Sequence, residues 1–170
     1  MGRARAAAGS LLFLLLAPGV VAGLVPWWFT RWEVREPLPY WTAFRVAGVL
    51  LLVLGCAVLV HAFARFVVEG IGTPAPVAPT ERLVVGGLYR YVRNPMYLAV
   101  AATIVGQALL LGQLALLLYA AAFVVVVAAF VRGYEEPTLE RRYGAQYASY
   151  RRTVPGWWPR RPRPVKAGGD

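Results

Sequence analysis

Residues 86–98, reading GGLYRYVRNPMYL, bring more chemically able groups together than any other stretch of the chain. Gly86 and Gly87 permit positive φ or a close backbone approach to a ligand. Pro95 has no N–H and a fixed φ, which suits the first turn of a helix with Asn94 as its N-cap. The start of such a helix carries free N–H groups and a partial positive charge, a setting for an anionic group. The same residues also read as an interfacial loop, with aromatic anchors and orienting arginines.

Two further clusters stand out. Glu135-Glu136-Pro137 is an acidic pair; on its own it reads as a solvated pair balancing Arg132, Arg141 and Arg142. His61, Arg65 and Glu69 recur every four residues, which sets them on one helix face. That stripe reads either as snorkelling at the headgroup level with an Arg65–Glu69 pair, or as a polar face turned to a site.

The elements that must position these groups are apolar. The 170-residue chain is 59% hydrophobic with a net charge of +10, and its mean hydropathy is +0.55. Nearly uncharged stretches alternate with Arg-rich ones, the pattern of an all-α, multi-pass membrane protein forming a single membrane domain over 1–170. The basic excess then speaks for orientation and anionic lipid headgroups, with no nucleic-acid motif beside it. Cys56 is the sole cysteine, so an intramolecular disulfide and a cysteine-built metal site are excluded. No metal site is expected.

Four spans are predicted, at about 10–29, 42–68, 96–111 and 114–131. The first competes with a signal peptide, but it runs on to the interfacial pair Trp27-Trp28 and is read as a retained helix, kinked at Pro18-Gly19. Residues 70–80 carry five Gly and Pro and read as an extended loop. Gly112-Gln113 makes the last two spans a helical hairpin. A basic, helical tail follows. Lys and Arg concentrate at the N-terminus, in the 70–94 loop and in the tail, so both termini and that loop are expected on the cytoplasmic side of the inner or plasma membrane. The hairpin then brings residues 86–98 and Glu135-Glu136 together.

Leu83, Val84, Gly87, Tyr89, Arg93, Asn94, Pro95 and Tyr97 match L-V-x-x-G-x-Y-x-x-x-R-[HN]-P-x-Y. Glu135, Glu136, Leu139, Tyr143, Gly144, Tyr147, Tyr150, Val154 and Pro155 match E-E-x-x-L-x-x-x-[FY]-G-x-x-Y-x-x-Y-x-x-x-V-P. Together the motifs, within 81–159, resemble the isoprenylcysteine carboxyl methyltransferase family, part of a wider group that includes phospholipid N-methyltransferases.

The resemblance implies a membrane enzyme that uses S-adenosylmethionine on a membrane-embedded or lipid-like acceptor bearing a carboxylate, amine or thiol. By position, Glu81, Arg82, Leu83, Val84, Gly87, Tyr89, Arg93, Asn94, Pro95, Met96, Tyr97, Glu135 and Glu136 fall where the family contacts its cofactor. Arg93 and Arg132 are the candidate catalytic arginines. The family's substrate arginine aligns strictly with Val131, and Arg132 is next to it. Asn94 and Glu81 stand where eukaryotic members carry His; Asn94 can hydrogen-bond but cannot act as acid or base.

Those residue types suit the cofactor's chemistry. Tyr89 and Tyr97 can face a sulfonium, Arg93 and the helix start can take a carboxylate, and Glu135 or Glu136 can take the ammonium or ribose hydroxyls. Methyl transfer is an in-line displacement that needs positioning and a dry site, not a metal. Two other readings stay open. A membrane reductase is related only by architecture and needs more spans; a non-enzymatic subunit would bind lipid or a partner through the basic tail.

Overall fold

A computed structural model of the chain describes residues 3–70 and 82–161. Glu81, expected among the cofactor-binding residues, lies outside the described residues, as do most of the Gly/Pro loop and the end of the tail.

Every regular element among the described residues is a helix or helical turn. α1 is Arg3–Leu16, α2 Val25–Thr30, α3 Thr42–Arg65, α4 Pro95–Leu111, α5 Ala115–Phe130, α6 Glu136–Tyr143 and α7 Ala145–Thr153. Three segments are long and apolar enough to cross a membrane: Leu11–Thr30, Thr42–Glu69 and Ala115–Tyr143. α4 is apolar but shorter. The all-α membrane class is therefore as expected.

The first apolar segment is interrupted where Pro18-Gly19 predicts. α1 ends at Leu16, and the chain resumes as a π-helical turn, Val20–Leu24. Proline removes a donor, and the wider turn leaves carbonyls to be satisfied by neighbours. The Gln107 amide donates to the Ala22 carbonyl at 2.6 Å, and the Tyr119 hydroxyl to that of Val21 at 2.8 Å. The irregular segment is thus fastened to α4 and α5 by side-chain donors.

α3 and α4 form the main packed pair. Their backbones meet at small residues: a Cβ on Gly48 would lie 2.5 Å from the Leu110 nitrogen, and one on Gly55 2.5 Å from Thr103 Oγ1. Without a hydrophobic drive between helices in lipid, such close approach is what holds them. The core around Ile104, Val100, Ala108, Leu116 and Ala120 joins α4 to α5.

At one end of the bundle, the α2–α3 loop caps the α4–α5 hairpin. Arg35 N–H donates to the Leu111 carbonyl at 2.7 Å, and the Gln113 amide to that of Glu33 at 2.7 Å. Trp41 Nε1 donates to the Leu109 carbonyl at 2.7 Å. This leaves the opposite end, where α4 begins and α5 finishes, to carry the polar clusters.

Candidate active site

The loop before α4 is built on the stripe of α3. Arg65 and Glu69 form an ion pair, and Glu69 Oε2 accepts the Gly86 N–H at 2.9 Å. Gly87 sits at φ +56°, and a Cβ there would come within 2.7 Å of His61 Nε2. No other residue type takes that conformation and that clearance together. A short 3₁₀ turn, Gly87–Arg90, follows and delivers Tyr89 inward. The stripe underlies the loop, and none of its three residues lines the cavity described next.

Tyr89 is buried, with Phe66 edge-on to its ring at 5.6 Å. Its backbone carbonyl accepts the Tyr150 hydroxyl at 2.7 Å. Asn94 occupies the N-cap position of α4, but its side chain makes no capping bond, contrary to the expectation from the Asn-Pro pair. Its backbone torsions, φ −117° and ψ 50°, place it outside the usual extended N-cap geometry. Instead its amide is buried, and Nδ2 has no hydrogen-bond partner among the described residues; the same holds for the Tyr89 hydroxyl.

Where α5 ends, a π-helical turn over Val131–Glu135 leads directly into α6. The turn brings Glu135 and Glu136 to face the loop. The Tyr97 hydroxyl donates to Glu135 Oε2 at 2.8 Å. Arg93 Nη1 donates to Glu136 Oε1 at 2.6 Å and to the Tyr147 hydroxyl at 3.0 Å, while Arg151 approaches the other Glu136 oxygen at 3.3 Å. The side chains of Arg93 and Glu136 are only 14% and 13% exposed. A charge so far removed from water must be paired and hydrogen-bonded, and each of these is.

The tail closes the arrangement. Arg93 N–H donates to the Pro155 carbonyl at 2.9 Å, Asn94 N–H to that of Gly156 at 3.3 Å, and Arg160 N–H to that of Tyr91 at 3.0 Å. Arg93 Nε donates to the Val154 carbonyl at 3.1 Å. Residues 154–160 therefore run as a strap across residues 91–94.

Between these parts lies a cavity of about 360 Å³, within the range of small-molecule sites. Its polar part is lined by Tyr89, Arg93, Asn94, Glu135, Glu136 and Tyr147, among others. Its apolar part runs between Phe13, Ala17, Val21, Val100, Phe123 and Phe130, which come from the first apolar segment, α4 and α5. Burial raises the phenols of Tyr89, Tyr147 and Tyr150 above their ordinary range, so all three serve as neutral hydroxyls.

Of the residues expected to form the site, Leu83, Val84, Tyr89, Arg93, Asn94, Pro95, Met96, Tyr97, Glu135 and Glu136 line the cavity. Gly87 lies beneath it, and Arg82 is exposed and off the lining. Arg132 is also exposed and off the lining, whereas Val131 is 2% exposed and lines it. Neighbouring side chains on a helix point roughly 100° apart, and here Val131 is the one turned inward and Arg132 the one turned out. Arg142 is the arginine of this region that does line the cavity. The sequence reading did not name Tyr147 and Tyr150 as site residues. Their i, i+3 spacing within the second motif was the available signal. No comparable signal pointed to Phe13, Ala17 and Val21.

A model of the phospholipid methyltransferase family matches residues 43–146, well over half of the chain. The chain belongs to that family. No curated protein and no solved structure gives a significant match. As a phospholipid methyltransferase family member, it comes from a group of membrane methyltransferases, and the matched residues take in α3, the glycine loop, α4, α5 and α6. The first apolar segment, which lines the cavity, and the strap, which bonds Arg93 and Asn94, both lie outside the matched stretch.

Proposed function

We propose that the protein is an S-adenosylmethionine-dependent methyltransferase, of the isoprenylcysteine carboxyl methyltransferase-like type, that modifies a lipid-like acceptor carrying a carboxylate, amine or thiol. The observation that carries this reading is the pair of buried donors without a partner among the described residues, Tyr89 Oη and Asn94 Nδ2, both on the cavity lining. Burying such groups unpaired costs about 1–3 kcal/mol each, so the site suits a ligand rich in acceptors. Ribose oxygens, adenine nitrogens and a carboxylate fit that requirement.

The residues on the lining suit the cofactor in kind. Leu83, Val84 and Met96 offer apolar contact for an adenine face. The start of α4 at Pro95-Met96-Tyr97 suits the carboxylate, and Glu135 suits the ammonium. Glu136 is committed to Arg93 and Arg151, which assigns it to holding the site together. Bound there, S-adenosylmethionine supplies an electrophilic methyl group on a sulfonium. The chain's own part is to orient that group and exclude water: Tyr89, Tyr147 and Tyr150 wall the polar part, and the strap holds Arg93 and the backbone of Asn94 in place.

The apolar arm between the first apolar segment, α4 and α5 supports an acceptor whose body enters from the bilayer. Four membrane passes complete the reading, with α4 as the fourth. Its 17 residues span about 26 Å, close to the hydrocarbon thickness. Both termini and the site then lie on the cytoplasmic face, as the arginine distribution supports. The test is titration calorimetry of detergent-purified protein with S-adenosylmethionine, together with transfer of labelled methyl to a membrane lipid extract. Absence of both heat and transfer sinks the reading.

A further inference from the structure

Nothing in the two motifs includes Glu69, yet it touches the loop that carries Tyr89. Its carboxylate is steadied by Arg65 one turn earlier on the same face, and it accepts the Gly86 N–H at 2.9 Å. The Gly86 carbonyl in turn accepts the Tyr89 N–H at 3.1 Å. The two polar groups of Gly86 thus link the carboxylate directly to the backbone of Tyr89. The clearance is equally specific. A Cβ on Gly86 would run into both Glu69 and Arg65, and a Cβ on Gly87 would lie 3.0 Å from Arg65 Nε. The double glycine is therefore fitted to this pair of side chains.

Tyr89 is otherwise held on every side. Phe66 meets its ring edge-on, and Tyr150 bonds its carbonyl, so the hydroxyl is the one polar group left without a partner among the described residues. We infer that Glu69 is a positioning residue for methyl transfer: it fixes the Gly86-Gly87 turn on α3 and so sets the Tyr89 hydroxyl towards the cavity. This deepens the proposed function and rests on it. A carboxylate accepting a backbone N–H is a charge-assisted bond, stronger than a neutral one, which suits a hinge that has to hold one orientation.

The experiment compares Glu69→Ala, Glu69→Gln and Tyr89→Phe in the full-length, detergent-purified protein. Glu69→Ala should raise KM for S-adenosylmethionine about tenfold while kcat at saturation changes little, because an interaction common to ground and transition states is lost. Glu69→Gln keeps an acceptor oxygen for Gly86 and should restore most of the loss. Tyr89→Phe in the Glu69→Ala background should add much less than it does alone, since the glutamate acts through that tyrosine. Full additivity of the two, or wild-type KM in Glu69→Ala, overturns the inference. Amide hydrogen exchange provides an arm free of activity: exchange at Gly86–Tyr89 should quicken in Glu69→Ala, and unchanged exchange overturns the positioning role. Wild-type protein that neither binds nor transfers would sink the methyltransferase reading instead, leaving the hold of Glu69 on the loop to be decided by exchange alone.

Discussion

The hydroxyl of Tyr97, in the first turn of α4, donates to Glu135 Oε2 at 2.8 Å, from the turn that ends α5. A single bond thus ties the two ends of the helical hairpin at the mouth of the cavity. Tyr97→Phe leaves the partly buried carboxylate short of a donor and should destabilise the protein by about 1–3 kcal/mol. Thermal melts in detergent check this, and a cycle with Glu135→Gln should show that the two changes are not additive. Additive effects would mean the bond contributes nothing of its own.

Arg93 offers a second test. Its Nε and Nη1 contact the Val154 carbonyl, Glu136 and Tyr147, a forked arrangement that a lysine ammonium cannot reproduce. Arg93→Lys should therefore insert into the membrane normally, lose most methyl transfer and loosen the strap. Limited trypsin digestion reads the last effect, through faster cleavage at Arg151, Arg152 and Arg160. Wild-type digestion and activity would return this arginine to a purely orienting role.

Arg132 is expected to behave in the opposite way. It is exposed and off the cavity lining, and substitutions at such positions usually change free energies by about 0.5 kcal/mol or less. Arg132→Ala should keep methyl transfer within about twofold of wild type. A large loss would mean that the acceptor reaches this side chain from outside the cavity.

Orientation is checked by reporter fusions. A fusion after Pro39 should report the far side of the membrane, and one after Arg161 the cytoplasmic side. A cytoplasmic signal at Pro39 would remove the four-pass arrangement.

Much of this architecture is legible in the residues because lipid imposes simple rules. Apolar runs bounded by Trp41, Pro95 and Gly112 mark the helices, and Pro18-Gly19 marks the interruption. The meeting of Tyr97 with Glu135 follows from a short hairpin between two motifs. What could not be read is what depends on rotation and long-range contact. The choice between Val131 and Arg132 turns on the phase of a π-helical turn, which apolar periodicity does not specify. Asn94 looks like a cap from its neighbours, but its backbone pairs with the strap and its side chain makes no capping bond. The role of the His61, Arg65 and Glu69 stripe depended on which loop came to rest against it.

The strap has a consequence in time. Residues 154–160 are synthesised after every apolar helix, and they supply the carbonyls that Arg93 and Asn94 bond. While α5 is entering the bilayer, those donors still lack their partners, and Tyr147 and Tyr150, which line the pocket, are not yet in place. Membrane insertion and completion of the pocket are thus successive events, and a nascent chain cannot possess the finished site until its last helices have cleared the ribosome.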